Sequence, residues 1–118
     1  MPDVAALMHA NLFEVFNERD PQLRRAAAAR TYTEGVVFAD PDEVVTGRDA
    51  LDAKAGGLLA ASPGFVFSAA GPVMVNHDLG HLAWQLGPAG ASPVVRGLDI
   101  ALVADGLISH LYTFVLTD

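Results

Sequence analysis

The sequence predicts an α+β fold, with helices first and then a meander of long antiparallel strands. Three observations carry this. Apolar residues recur at three- and four-residue steps near the N-terminus and again around Leu51–Leu59. From Phe65 onward, β-branched and aromatic runs are broken by turns rich in glycine and proline. The two kinds of element are segregated, which argues against a series of βαβ units.

Val4, Leu7, Met8, Leu12, Val15 and Phe16 form one apolar helical stripe, with Asp3 placed to cap it and polar Asn17-Glu18-Arg19 to end it. Asp20-Pro21 starts a second helix, an N-cap carboxylate followed by proline at the first helical position. The alanine run Ala26–Ala29 continues it, and Thr31 to Gly35 closes it. Val36–Ala39 reads as a strand, Asp40–Glu43 as a turn and Val44-Val45 as a second short strand. Thr46-Gly47 introduces a third helix, with Leu51, Ala55, Leu58 and Leu59 at helical spacing, and Ser62-Pro63-Gly64 stops it. Strands are expected over Phe65–Ala70, Val73–Asn76, Gly80–Gly87, Val94–Ala104 and Leu107–Leu116. Asp105-Gly106 is a hairpin signal, because both residues tolerate positive φ.

A chain of 118 residues fits one domain, residues 1–118, and about half its residues are hydrophobic, enough for a core. There is no cysteine, so disulfides, thiolate metal sites and cysteine nucleophiles are excluded. Seven basic against fourteen acidic residues give a net charge of −7, which argues against nucleic acid and against an anionic membrane surface as partners. The basic cluster Arg24, Arg25 and Arg30 is expected on a solvated helix face. No apolar run approaches the roughly 18 residues of a membrane span. The opening Met1-Pro2-Asp3 has no basic flank, so a signal peptide is not expected and a cytoplasmic location is.

A two-residue loop at Asp105-Gly106 pairs Ala104 with Leu107 and so sets Asp99 opposite Tyr112, Ala101 opposite His110 and Gly97 opposite Phe114. Pairing Gly87 with Val94 sets Trp84 opposite Gly97 and Leu82 opposite Asp99, with glycine leaving room beside the only tryptophan. The shared face then carries Leu82, Trp84, Asp99, His110, Tyr112 and Phe114, an apolar wall with a few polar groups, which is the make-up of a small-molecule pocket. The opposite face, with Leu98, Ile100, Leu102, Leu107, Leu111 and Val115, is apolar too. It is expected to meet a second copy of the chain, giving a homodimer through the sheet.

Asp99 interrupts an apolar strand. A carboxyl there must pair, hydrogen-bond or take up a proton, and burial raises its pKa toward acid–base use. A structural carboxyl bonded to Tyr112 or His110 is the alternative. Asp40, before Pro41, is either a general base at the pocket mouth or a plain turn aspartate. His110 and Tyr112 share a face and are placed to orient or protonate a ligand, or to be core residues satisfied by their neighbours. Tyr32 is a candidate to close one end of the pocket, and Trp84, Phe13, Phe16, Phe38 and Phe67 belong to core or pocket wall. His77, Asp78 and His81 lack a tight metal-ligand spacing, and no phosphate loop or nucleophile elbow occurs. No metal or cofactor is called for.

With these residues in hand, the chain resembles the nuclear transport factor 2-like superfamily, in particular its SnoaL-like and ketosteroid-isomerase-like members. The resemblance covers nearly the whole chain. It rests on Asn17-Glu18-Arg19-Asp20 after helix one, Val37-Phe38-Ala39-Asp40-Pro41, Thr46-Gly47-Arg48-Asp49-Ala50-Leu51, and Leu98-Asp99 before the last hairpin. It implies a cone-shaped α+β barrel, with three N-terminal helices packed on a strongly bent, mostly antiparallel sheet. It also implies a pocket between the layers and dimers formed through the sheet. It further implies Asp40 as a proton-shuttling base and a protonated Asp99 as donor to a developing oxyanion. The family's oxyanion tyrosine falls here at or near Leu12 or Phe13, leaving Tyr112 or Tyr32 as substitutes. The Asp–Arg–Asp arrangement of limonene epoxide hydrolases is not matched, since Arg96 and Asp99 should face opposite ways and Thr113 stands where an acid belongs. Two function classes follow. One is a cofactor-independent isomerase or cyclase acting on an apolar carbonyl compound, with Asp40, Asp99 and Tyr112 as catalytic groups. The other is a non-catalytic hydrophobic-ligand pocket or dimeric interaction module.

Overall fold

The computed structural model describes residues 3–116, so Met1 and Pro2, on which the signal-peptide expectation rests, lie outside the described residues. Helix α1 spans Val4–Ala10 and is capped as expected: Asp3 accepts a hydrogen bond from the Ala6 N–H at 2.7 Å. The helix does not continue as one α-helix to Phe16. It widens into a π-helical segment over Asn11–Phe16, whose inward side carries Asn11, Leu12, Val15 and Phe16, all buried. The widening coincides with Asn11, a polar residue turned fully into the interior, where its amide finds buried partners.

Helix α2, Pro21–Thr31, begins on Asp20, which accepts from the N–H groups of Gln22 and Leu23. It ends at Thr31, where the sequence begins to close it, but the strand that follows starts earlier than the expected Val36. Tyr32 already has extended backbone (φ −115°, ψ 151°) and opens strand β1, Tyr32–Ala39, because Tyr32, Val36 and Phe38 bury their side chains from a strand. Arg24 is likewise not on a solvated face. Its Nε donates to Asp52 of helix α3 (Arg48–Ala61) at 2.8 Å and its Nη1 to the Glu18 carbonyl, and these partners permit its burial. Arg19 donates to the carbonyls of Leu59, Ser62 and Phe65, tying off the last turn of α3.

The remaining strands are β2 (Val44–Thr46), β3 (Phe65–Ala69), β4 (Met74–Asn76), β5 (Leu79–Pro88), β6 (Val95–Ala104) and β7 (Leu107–Leu116). Their order is β2-β1-β7-β6-β5-β3, with β4 also pairing β5. Every pairing is antiparallel except β1 with β7, so the sheet is mixed. It is strongly curved and not closed, and the three helices pack on it as an α+β cone. The core lies between the layers, built from Leu7, Met8, Leu12 and Val15 of the first helical stretch against Leu82, Ala101, Ile108 and Leu111 of the sheet. No described helix is long and apolar enough to cross a membrane.

Two registers set the inner face. Trp84 lies opposite Gly97 and Leu82 opposite Asp99, as the sequence predicts. The Asp105-Gly106 turn also forms as predicted, with φ of 54° and 79°, and Ala104 pairs with Leu107. One step further the register shifts. Val103 pairs with Ile108 but Leu102 pairs with His110, so Ser109 is the extra residue of a β-bulge. Its Oγ donates to the Leu102 carbonyl at 3.1 Å, which satisfies the bulged position. Beyond the bulge Asp99 stands opposite Thr113 rather than Tyr112, and Tyr112 opposite Ile100. A shift of one residue exchanges the faces of a strand. His110, Tyr112 and Phe114 therefore lie on the outer face with Leu98, Ile100 and Leu102, and Leu111 and Val115 on the inner one.

Candidate functional site

Between the helices and the inner sheet face lies a cavity of about 740 Å³. Its apolar wall is built by Phe16, Phe38, Phe67 and Trp84, whose rings stand in a chain with centroid separations of 5.3–6.0 Å. Phe67 meets Phe16 and Trp84 edge to face, at 79° and 77°. Gly97 makes this wall possible, because a β-carbon there would collide with the Trp84 ring and with the Phe114 carbonyl. Among the polar groups that line the cavity are Asp99 and Thr113 of the sheet and the Asp40–Lys54 pair.

Asp99 is 4% exposed and surrounded by donors. Its Oδ1 accepts from Trp84 Nε1 at 3.0 Å and from Thr113 Oγ1 at 2.7 Å, and its Oδ2 accepts from Asn11 Nδ2 at 3.1 Å. Burial dominates and pushes its pKa up to about 6, while the bonds from Thr113, Trp84 and Asn11 and the charge of His81 restrain the rise. The strand thus holds a carboxyl that exchanges a proton near neutral pH inside an apolar wall.

Asn11 links this carboxyl to a second buried group. While its Nδ2 donates to Asp99, its Oδ1 accepts from the Tyr32 hydroxyl at 2.5 Å. Tyr32 is fully buried, and burial, followed by the nearby charges of Asp99 and Asp52, keeps its hydroxyl protonated well above the usual range. Tyr32 supports the site from behind and does not close the cavity.

Asp40 is held differently. Its Oδ1 accepts from the N–H groups of Asp42 at 2.9 Å and Glu43 at 3.0 Å, an aspartate turn that fixes the carboxylate. Its Oδ2 meets Lys54 Nζ at 2.8 Å. Partial burial would raise its pKa, but the Lys54 ammonium and the two backbone donors outweigh that and hold it below the usual 3.8. The same contact raises Lys54. Asp40 at rest is an ionised, weakly basic carboxylate.

Of the residues singled out from the sequence, Asp40, Asp99, Phe16, Phe38, Phe67 and Trp84 come together around the cavity, whereas Phe13 is 42% exposed and stands outside it. Leu82 is fully buried behind the wall without lining it. His110, Tyr112 and Phe114 do not reach the site, because the Ser109 bulge turns them outward; Tyr112 and Phe114 are 40% and 52% exposed. Sequence reasoning missed Asn11, Lys54 and the contact of Thr113. Asn11 carried a signal, as a polar residue beside the inward-facing Leu12 in an otherwise apolar stripe. Lys54 carried none, since its contact depends on how α3 docks. Among the described residues, no three of His, Asp or Glu are grouped so as to hold a metal ion.

The chain shares this architecture with solved structures. A SnoaL-like protein from Agrobacterium tumefaciens, for which isomerase activity is proposed, superposes with a TM-score of 0.87 at 21% identity, over 94% of this chain and 95% of that one. A protein from Kribbella flavida proposed to be a ketosteroid isomerase gives 0.73 at 19% identity, over 97% and 78%. A protein from Sinorhizobium meliloti proposed to be a polyketide cyclase gives 0.72 at 17% identity, over 96% and 94%. At these identities the likeness is one of fold. Among curated proteins none matches the chain by sequence. The sequence profile of the SnoaL-like domain matches residues 9–111, from α1 into the last strand, and the chain belongs to that family.

Proposed function

We propose that the chain binds a small apolar carbonyl compound in the cavity and isomerises or cyclises it by aspartate acid–base chemistry, without organic cofactor or metal. The observation that carries this reading is Asp99, a buried carboxyl with a pKa near 6 in the wall of an apolar cavity. In its protonated form it donates to the carbonyl oxygen and stabilises the enolate as an α-proton leaves. A bound apolar ligand strips more water from the carboxyl and favours that form further. In this reading Asp40, which lines the same cavity, takes the α-proton and returns it at the end of the reaction. Its contact with Lys54 weakens it as a base, so abstraction follows loosening of that pair.

The test is deuterium exchange. Apolar ketones are incubated with the protein in D₂O, and α-deuteration is followed by mass spectrometry. Exchange that is lost in Asp99→Asn and in Asp40→Asn supports the reading; exchange that persists in both overturns it. A second reading, a non-catalytic pocket for the same class of ligand, is favoured by the Asp40–Lys54 pair. It predicts thermal stabilisation by a ketone with no deuteration. Under either reading we place the protein in the cytoplasm, as a single SnoaL-like domain over residues 1–118. We pair it as a homodimer through the outer sheet face, where Ile100 and Tyr112 stand side by side. A monomeric mass at micromolar concentration removes the dimer.

A further inference from the structure

We infer that Tyr32 is a positioning residue for Asp99, acting through Asn11 to direct the carboxyl's proton into the cavity. The inference takes its functional meaning from the reading of Asp99 as the acid–base group; the geometry itself needs no ligand.

Asp99 offers four acceptor positions, and three are filled. Both positions on Oδ1 are taken by N–H and O–H donors, from Trp84 and Thr113. One position on Oδ2 is taken by Asn11 Nδ2. With Thr113 keeping its hydroxyl hydrogen on Oδ1, a proton arriving at Asp99 takes the remaining position on Oδ2, and Asp99 borders the cavity.

This holds only while Asn11 keeps its amide nitrogen toward Asp99. An amide turned end over end would present its oxygen instead, and a protonated Asp99 would then donate to Asn11 rather than to a ligand. Tyr32 prevents the turn. Among the described residues its hydroxyl hydrogen has one acceptor, Asn11 Oδ1. Turning Asn11 would strand that hydrogen in a fully buried place. The groups facing Asp99 are Asn11 from the π-helical segment, Trp84 and the charge of His81 from β5, and Thr113 from β7. None of the others constrains the Asn11 amide.

The test is a carbon-13 NMR titration of the Asp99 carboxyl in the ligand-free protein. Tyr32→Phe leaves the ring and frees Asn11 to turn, so the Asp99 midpoint should rise by about one pH unit. Asn11→Leu removes the donor outright and should raise it similarly, and adding Tyr32→Phe to Asn11→Leu should move it no further. A tyrosine serving only packing would lower the melting temperature and leave the midpoint in place. A folded Tyr32→Phe with an unmoved midpoint overturns the inference. If Tyr32→Phe fails to fold, an unmoved midpoint in Asn11→Leu does the same. Failure of ketone exchange in the wild-type protein would remove the proposed reaction while leaving this titration readable.

Discussion

Thr113 Oγ1 donates to Asp99 Oδ1 at 2.7 Å, directly across the β6–β7 ladder, and shares that oxygen with the Trp84 indole. The bond favours the charged carboxyl and opposes the effect of burial. Thr113→Val keeps the shape of the side chain and removes the donor. The Asp99 midpoint should then rise above about 6, by roughly half to one pH unit. Carbon-13 NMR of the carboxyl reads this directly, and an unmoved midpoint would show the bond to be without weight.

Asp99 also gives stability a pH dependence of definite sign. Its folded pKa of about 6 lies above the usual 3.8, so the native state binds the proton more tightly than the unfolded chain. The favourable contribution is complete below the unfolded value and is lost as pH rises through about 6. The loss is about 3 kcal/mol for a two-unit difference. Urea unfolding at pH 5 and pH 8 should show the protein less stable at pH 8, and Asp99→Asn should remove that part of the difference. Asp40 acts oppositely and elsewhere: its pKa is lowered, so its contribution is present above the usual 3.8 and fades in more acid solution.

Lys54 holds Asp40 weakly basic, whereas the Asp42 and Glu43 N–H groups hold it in place. Lys54→Met separates these roles, leaving the carboxylate fixed by the turn while its proton affinity rises. If Asp40 takes the α-proton, deuteration of a ketone substrate should speed up several-fold in this variant. A slower or unchanged rate would assign Lys54 to ligand binding or to neither role.

Gly97 is the position where one methyl group should do most harm. A β-carbon there meets the Trp84 ring and the Phe114 carbonyl, and backbone cannot give way as a flexible side chain does. Gly97→Ala should destabilise the fold by roughly 1–3 kcal/mol. It should also pull Trp84 from Asp99, seen as a change in tryptophan fluorescence before any unfolding. Gly57→Ala, where a β-carbon meets nothing, is the control and should be silent or slightly stabilising.

The features legible in the sequence were those with local causes. Asp105-Gly106 announces its turn because few residue pairs accept two positive φ angles, and Trp84 announces its register by needing Gly97 opposite. Asp99 stood out as a carboxyl in an apolar strand. The Ser109 bulge left no mark, since serine is neither glycine nor proline and the ladder resumes on both sides. That one residue exchanged Tyr112 for Thr113 at the site. Arg24 looked solvated because its partner Asp52 lies on another helix, and the Asp40–Lys54 contact depends on how α3 docks. Such pairings belong to the tertiary structure and have no counterpart in any window of sequence.

The place of β7 in the sheet bears on how the molecule comes together. It is last in chain order among the described strands, yet it sits between β1 and β6. Until it inserts, β1 has only the three-residue β2 beside it, and one edge of β6 is bare. Thr113 reaches Asp99 in the same event. Assembly therefore cannot proceed outward from the N-terminal end, and it must close contacts far apart along the chain, a slow class of step. During synthesis, two strand edges wait open for β7, and in that interval the chain is most exposed to mispairing with its neighbours.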